Sequence, residues 1–591
     1  VAETGARISL TAPSDILIDG SIVAPAGVID VQLQGGSGIV QDRIWLGQHA
    51  QLSADGAVAI NPVSNTGLLA GDVLDAGRVS IVAEQGSVIA EAGAHISVDA
   101  AAAELDLGTA GTQSRQLVAG EAGEILLSAA ESLVYAGSLS GQAAGAGEGG
   151  RLAVRLDPNT RGAQIPDPRE HDEFYRGEHI ALMQDYAGPV PDAGDAIDEQ
   201  LLGRAYVPVS QLQAGGFDSL NVTVRSSASG GNTPDTPDSL PVIAFTGETR
   251  LDLGRSLVLD APVIRSTATG DVGLSAPQIA LGSSDTRVRL DGARPVVRFD
   301  ENGDIENNID DDALVTMRLD PTPGEGSLLV EAGLLELVGE LATQGFGDTG
   351  SSTTDDAGVQ LHASGDLRMR GVRRVNSDVY DGLFRTASDL EIVANRLYPV
   401  TLTRFALSVE GAGGLLDIAS AGEDSLPAPL SIGGDLSLAA ENIHQGGNVY
   451  APLGQLQLLA GNKLQLAAGS LTSTSAVGVE APFFQTQPGG DLVLTGDEIN
   501  NRDIIFTDSP DEPFEQALPE QSLVLAGPAV DVQEGALFDL RGGSEARATE
   551  FVPGPGGSRD ILLADLDGGE GVIRNPAFAI MPGIGEYAPY D

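Results

Sequence analysis

The sequence predicts an all-β fold: a parallel β-helix, or solenoid, of about 20-residue coils carrying loop and short-helix insertions. Three observations lead there. One seven-residue phrase recurs along the chain, a glycine followed by aliphatic residues at alternate positions and closed by alanine. The composition is rich in glycine, with 77 among 591 residues, and poor in aromatics, at 4% with a single tryptophan. Finally, 42% of the residues are hydrophobic, enough for a large core of small side chains.

The phrase stands as Gly77-Arg-Val79-Ser-Ile81-Val-Ala83, Gly123-Glu-Ile125-Leu-Leu127-Ser-Ala129, Gly270-Asp-Val272-Gly-Leu274-Ser-Ala276 and Gly326-Ser-Leu328-Leu-Val330-Glu-Ala332. Two adjacent copies, Gly434-Asp-Leu436-Ser-Leu438-Ala-Ala440 and Gly454-Gln-Leu456-Gln-Leu458-Leu-Ala460, set the step of twenty residues. Looser versions begin at Gly150, Gly365 and Gly490. Aliphatic residues at i and i+2 describe a short strand with one buried face. After Ala83 two more short apolar segments follow, Ser87–Ala90 and His95–Val98, punctuated by Gly86 and Gly93. After Ala129 come Leu133–Tyr135 and Ser138–Leu139 in the same way. Three such strands cannot bury their apolar side alone, but stacking one unit on the next makes a continuous core. At about 4.8 Å per level, on the order of twenty-one coils give a rod of roughly 100 Å.

Insertions divide the coils. Coils are expected over 1–156, 217–296, 326–500 and, at the terminus, 522–591. Between them lie an insertion subdomain at 157–216, an acidic insertion at 297–325 and a loop at 501–521. The first insertion gathers His171, Phe174, Tyr175, His179, Met183 and Tyr186, with short helices expected over Glu178–Tyr186 and Ile197–Leu202. Its aromatics are read as packing on the rod's outer face. The functional alternative makes Phe174, Tyr175 and Tyr186 a ligand-binding patch for a glycan or a protein. His171 and His179 are eight apart, a spacing that suits no helical metal pair. In the second insertion Asp300, Asn302, Asp304 and Glu306 place oxygen ligands at alternate positions, as calcium loops do. The match is partial, because Ile305 stands where a glycine is needed and Asp311 where a glutamate is needed. Calcium is therefore the one cofactor considered, and a solvated acidic loop is the competing reading.

Lys+Arg is 32 and Asp+Glu 84, a net charge of −52, which repels nucleic acid and anionic membrane surfaces. No apolar run is long enough for a membrane-spanning helix, so membrane insertion is not expected. Cysteine is absent, which removes disulfides and thiol nucleophiles together. There is no Gly-x-Ser-x-Gly elbow and no phosphate-binding Gly-x-x-x-x-Gly-Lys loop, and Lys463 is the only lysine. No catalytic residue is assigned, and the chain is expected to be non-enzymatic. Its opening in mid-pattern at Val1 reads as a segment of a longer polypeptide.

Ile8-Ser-Leu-Thr-Ala12 followed by Ile18-Asp-Gly20-Ser-Ile22-Val-Ala-Pro25-Ala-Gly27 resembles the repeat region of bacterial exoproteins of the filamentous haemagglutinin family. So do Ala468-Gly-Ser-Leu-Thr-Ser473, Asp539-Leu-Arg-Gly-Gly543, Phe551-Val-Pro-Gly-Pro-Gly-Gly-Ser-Arg-Asp560, Ile580-Met-Pro582 and Ala588-Pro-Tyr-Asp591. The resemblance implies a right-handed β-helix. It also implies two-partner secretion through an outer-membrane partner, and a place at the cell surface as an adhesin or biofilm-matrix filament. The family's Asn-Pro-Asn secretion motif is not here, and Asn61-Pro62-Val63 does not replace it. The expected function is thus an extracellular structural or adhesive fibre segment that self-associates or contacts glycans or cells. A carbohydrate-active β-helix enzyme, lyase or hydrolase, or a glycan-binding module, is the alternative.

Overall fold

A computed structural model describes residues 5–34, 42–61, 68–108, 112–158, 179–192, 195–225, 240–267, 269–286, 288–291, 298–299, 305–306, 315–347, 358–373, 380–422, 427–486, 492–494, 504–506 and 520–549. The fold is all-β, with 59% strand and 3% helix. Nearly all strand pairing is parallel and in register, and it resolves into three ladders. The first runs from Arg7–Ala12 through Val28–Leu33, Arg78–Ala83, Glu124–Ala129, Gly150–Leu156, Phe217–Val224 and Ser256–Asp260. It continues to Leu471–Ser473 and Leu537–Asp539. The second starts at Asp15–Ile18 and Arg43–Leu46 and ends at Ser522–Ala526. The third starts at Ser21–Val23 and Gln51–Ser53 and ends at Ala529–Val532. The single strand Leu328–Gln344 contributes to all three in turn.

The recurring phrase maps onto these ladders through its glycine. A Cβ on Gly77 would lie 1.7 Å from the Gly27 carbonyl oxygen, and one on Gly454 1.9 Å from that of Gly434. Those same carbonyls accept from the following residues, Arg78 N–H at 2.9 Å and Gln455 N–H at 3.1 Å. The glycine is thus required by the approach of one level to the next. The alternating aliphatics face inward and stack in rows. Ile29, Val79, Ile125, Leu152, Leu220, Leu257, Ile279, Leu335, Leu367, Leu397 and Val449 are successive partners in one such row. All are buried, each stabilising the fold by about 1.5–3 kcal/mol.

The step of twenty residues holds where Asp435 faces Gln455, but other levels are spaced far more widely, as where Ser132 faces Arg204. The described strands make about fourteen levels, or roughly 65 Å at about 4.8 Å each, fewer and shorter than the repeat predicts. The difference is chain diverted into excursions. Two are antiparallel hairpins, Ala57–Ile60 with Gly71–Leu74 and Ala102–Leu107 with Ser114–Ala119.

The stretch 157–216 departs most from expectation. The helix expected over Glu178–Tyr186 is not found among its described residues: His179–Met183 is a strand, because Ile180 and Leu182 alternate inward into the core. Over Ile197–Leu202 only a 3-10 turn forms, Glu199–Leu201, capped by Asp198. Both His179–Met183 and Arg204–Pro208 belong to the second ladder, so this stretch builds the core as well as decorating it. The two enter out of chain order. Ser132–Tyr135 pairs with Arg204–Pro208, which pairs with His179–Met183, which pairs with Val242–Thr246. An unexpected α-helix, Val209–Gly215, fills the third ladder between Ser138–Ser140 and Thr249–Asp252. Gly141 N–H donates to the Gly215 carbonyl at 2.8 Å, and Gln213 Nε2 donates to that of Arg250 at 3.0 Å.

Candidate functional site

The described part of the first insertion lies on the outer side of the second ladder, over a row of apolar residues that point away from the core. Leu17, Trp45, Ile89 and Val134 are successive in-register partners, and Tyr206 continues the row. A strap within residues 184–203 covers Trp45, Ile89, Val134 and Tyr206 with Val190, Ile197, Leu201 and Leu202, while Leu17 at the end of the row stays exposed. Tyr186, one of the candidate ligand-binding aromatics, belongs to the strap. Its ring lies 4.8 Å from that of Tyr206, tilted by 40°, and its hydroxyl donates to the Pro189 carbonyl at 2.8 Å. Burial pushes the Tyr186 phenol up to about 12. The residue anchors the strap. Phe174 and Tyr175 lie outside the described residues, as does His171.

His179 opens the out-of-order strand. Its Nε2 is buried without a hydrogen-bond partner, and Arg204 and Arg265 are near. Burial first, and then those two arginines, push its pKa down to about 3. A neutral imidazole facing two guanidinium groups is ill suited to hold a cation. Of the calcium candidates, Asp300, Asn302 and Asp304 lie outside the described residues. Glu306 closes the two-residue strand Ile305–Glu306, which pairs antiparallel with Arg298–Phe299. Among the described residues no group of three or more histidines and carboxylates is arranged to hold a metal ion. Leu319 of the acidic insertion also supplies cover: with Leu290, which precedes the insertion, it packs with Val242, Val263, Ala342 and Leu383.

The third ladder carries a polar row that sequence spacing does not reveal. Glu391, Asp417, His444 and Gln465 are successive in-register partners. His444 Nδ1 lies 2.6 Å from Asp417 Oδ1, and His362 Nε2 lies 3.3 Å from Glu391 Oε2. The hydrogen bond to Asp417 raises the pKa of His444. Lys463 sits in the same regular ladder, donating to Gln465 Oε1 at 2.8 Å. Only the pairing register brings these groups together, since neighbours in the row are separated by a whole level of chain.

On the first ladder, Asp366 accepts from Arg396 at 2.8 and 2.6 Å and from the Tyr398 hydroxyl at 3.1 Å. On the second ladder, Arg385 pairs with Glu410 through both carboxylate oxygens at 2.6 and 2.7 Å. These bidentate pairs fix neighbouring levels against each other. The site geometry is therefore that of extended faces: an apolar row on the second ladder largely under a strap, and a half-buried polar row on the third, with bidentate ion pairs on the first and second. No family model, no curated protein and no solved structure matches this chain.

Proposed function

We propose that the three ladders are the faces of a right-handed parallel β-helix, and that the chain is a segment of an extracellular structural or adhesive fibre. The observation that carries this reading is the course of the core. Among the described residues its inward rows run from the first level to the last and are still apolar at both. At one end Ile8, Leu10 and Ile22, and at the other Leu523, Leu525 and Phe538, pack on the core while only partly buried. Such a cross-section can be lengthened by further levels of the same kind. The mechanism is geometric: each level adds rise, the ladders supply stiffness, and the straps and hairpins form the contact surface.

The resemblance to filamentous haemagglutinin-type exoproteins supports an outer-membrane secretion partner and a place at the bacterial cell surface, with glycans or neighbouring cells as contacts. No helix among the described residues is long and apolar enough to cross a membrane. Negative-stain electron microscopy of the protein isolated from its source tests the reading. Slender rods much longer than the roughly 65 Å spanned by these levels are expected. Short rods with blunt, covered ends would overturn it and direct attention to polysaccharide turnover.

A further inference from the structure

We infer that the hairpin strand Ala57–Ile60 is a pairing edge at which two copies of this chain join, antiparallel, across a two-fold axis. The hairpin forms a two-stranded sheet of its own, so no described strand pairs with the outer edge of Ala57–Ile60. Within the hairpin, Asn61 N–H donates to the Ala70 carbonyl at 2.9 Å. In an antiparallel pair the bonded positions alternate. Ala57 and Ala59 therefore direct their backbone groups to the hairpin mate, while Val58 and Ile60 direct theirs outward. Their side chains are 39% and 44% exposed.

An uncharged, apolar edge strand is an association site unless something guards it. The other hairpin is guarded: its strand Ser114–Ala119 carries Arg115, paired with Asp106 at 3.0 Å. Ala57-Val-Ala-Ile60 carries no charge in a chain of net charge −52. That favours a second copy as the occupant, because the two facing strands bring no carboxylate between them; the nearest in register, Asp72, lies opposite Ala59 on the far strand of each hairpin. The outward backbone groups limit the register to those that face Val58 or Ile60 with Val58 or Ile60. Facing Val58 of each copy with Ile60 of the other is the one that uses both residues of both copies, and it centres the axis on Ala59. Side-chain burial then joins Val58 and Ile60 of both copies, with Val73 beside Val58 on the same face. Higher salt, by screening the remaining charge, strengthens the pair.

The chain has no cysteine, so single cysteines report contacts without interference. Ala59→Cys places the two sulfurs at a non-bonded antiparallel pair, where the Cα atoms are about 4.5 Å apart and a disulfide fits. The expected result is a covalent dimer of the full 591-residue chain for Ala59→Cys under mild oxidation, and none for Leu117→Cys on the guarded hairpin. In sedimentation velocity the unmodified chain is expected as a dimer that Val58→Lys with Ile60→Lys converts to monomer, circular dichroism being unchanged. A monomer at all concentrations, a dimer that survives the lysine pair, or equal crosslinking at 59 and 117 would each overturn the inference. The cysteine arm decides the matter should the lysine pair disturb the hairpin.

Discussion

His179 shows how one side chain couples this fold to pH. Held neutral by burial and by two nearby arginines, it has a folded pKa of about 3 against an ordinary value of 6.5. Above pH 6.5 it is neutral in folded and unfolded chains alike and contributes nothing to the pH dependence. As pH falls below 6.5 the unfolded chain binds a proton that the folded chain refuses, so stability declines until about pH 3 is reached. The slope is up to about 1.4 kcal/mol per pH unit. Urea midpoints measured from pH 7 to 4 should fall less steeply for His179→Gln than for the unmodified chain; parallel curves would refute this. His444 has the opposite sign. Its raised pKa makes the pair with Asp417 stabilising below the unfolded value and weaker as pH rises through the folded one.

Among the elements, the α-helix Val209–Gly215 is the one the repeat gives no warning of. It stands where a strand of the third ladder would, and Val209 and Leu212 enter the core in place of the usual alternating pair. A small gap remains beneath it, lined by Leu127, Tyr135, Leu152, Val154 and Leu212. Leu212→Ala would enlarge that gap, so a loss of about 2–5 kcal/mol is expected, read as a lower midpoint in thermal unfolding. An unchanged midpoint would mean that the helix is not part of the core. What could be read beforehand follows the same divide. Ser87–Ala90, His95–Ser97 and Ser132–Tyr135 were legible because their periodicity and their glycines are local. The phrase glycines at 77, 123, 434 and 454 were legible as a pattern, and the levels' approach explains them. Tyr186 packs on the outward side of the second ladder, and its partners Trp45 and Ile89 lie far away in the chain. The row Glu391, Asp417 and His444 exists only through register, which no local spacing encodes.

At the scale of the whole molecule, charge and connectivity set the behaviour. A net charge of −52 opposes lateral association of neighbouring molecules, and divalent cations should relieve that repulsion. Light scattering is expected to rise on adding calcium and to fall again with chelator; an indifferent signal would count against cation-bridged lateral association. Connectivity bears on time rather than on shape. A stack in which every level follows its predecessor in the chain can close from one end as the polypeptide emerges. Here that order is broken, because His179–Met183 lies between Arg204–Pro208 and Val242–Thr246, both made after it. Closure from the amino-terminal side must therefore leave His179–Met183 waiting until the chain has been made as far as Pro208, and then proceed with two strands, Arg204–Pro208 and His179–Met183, docking together. The fold contains its own pause, written into the order in which its strands are threaded.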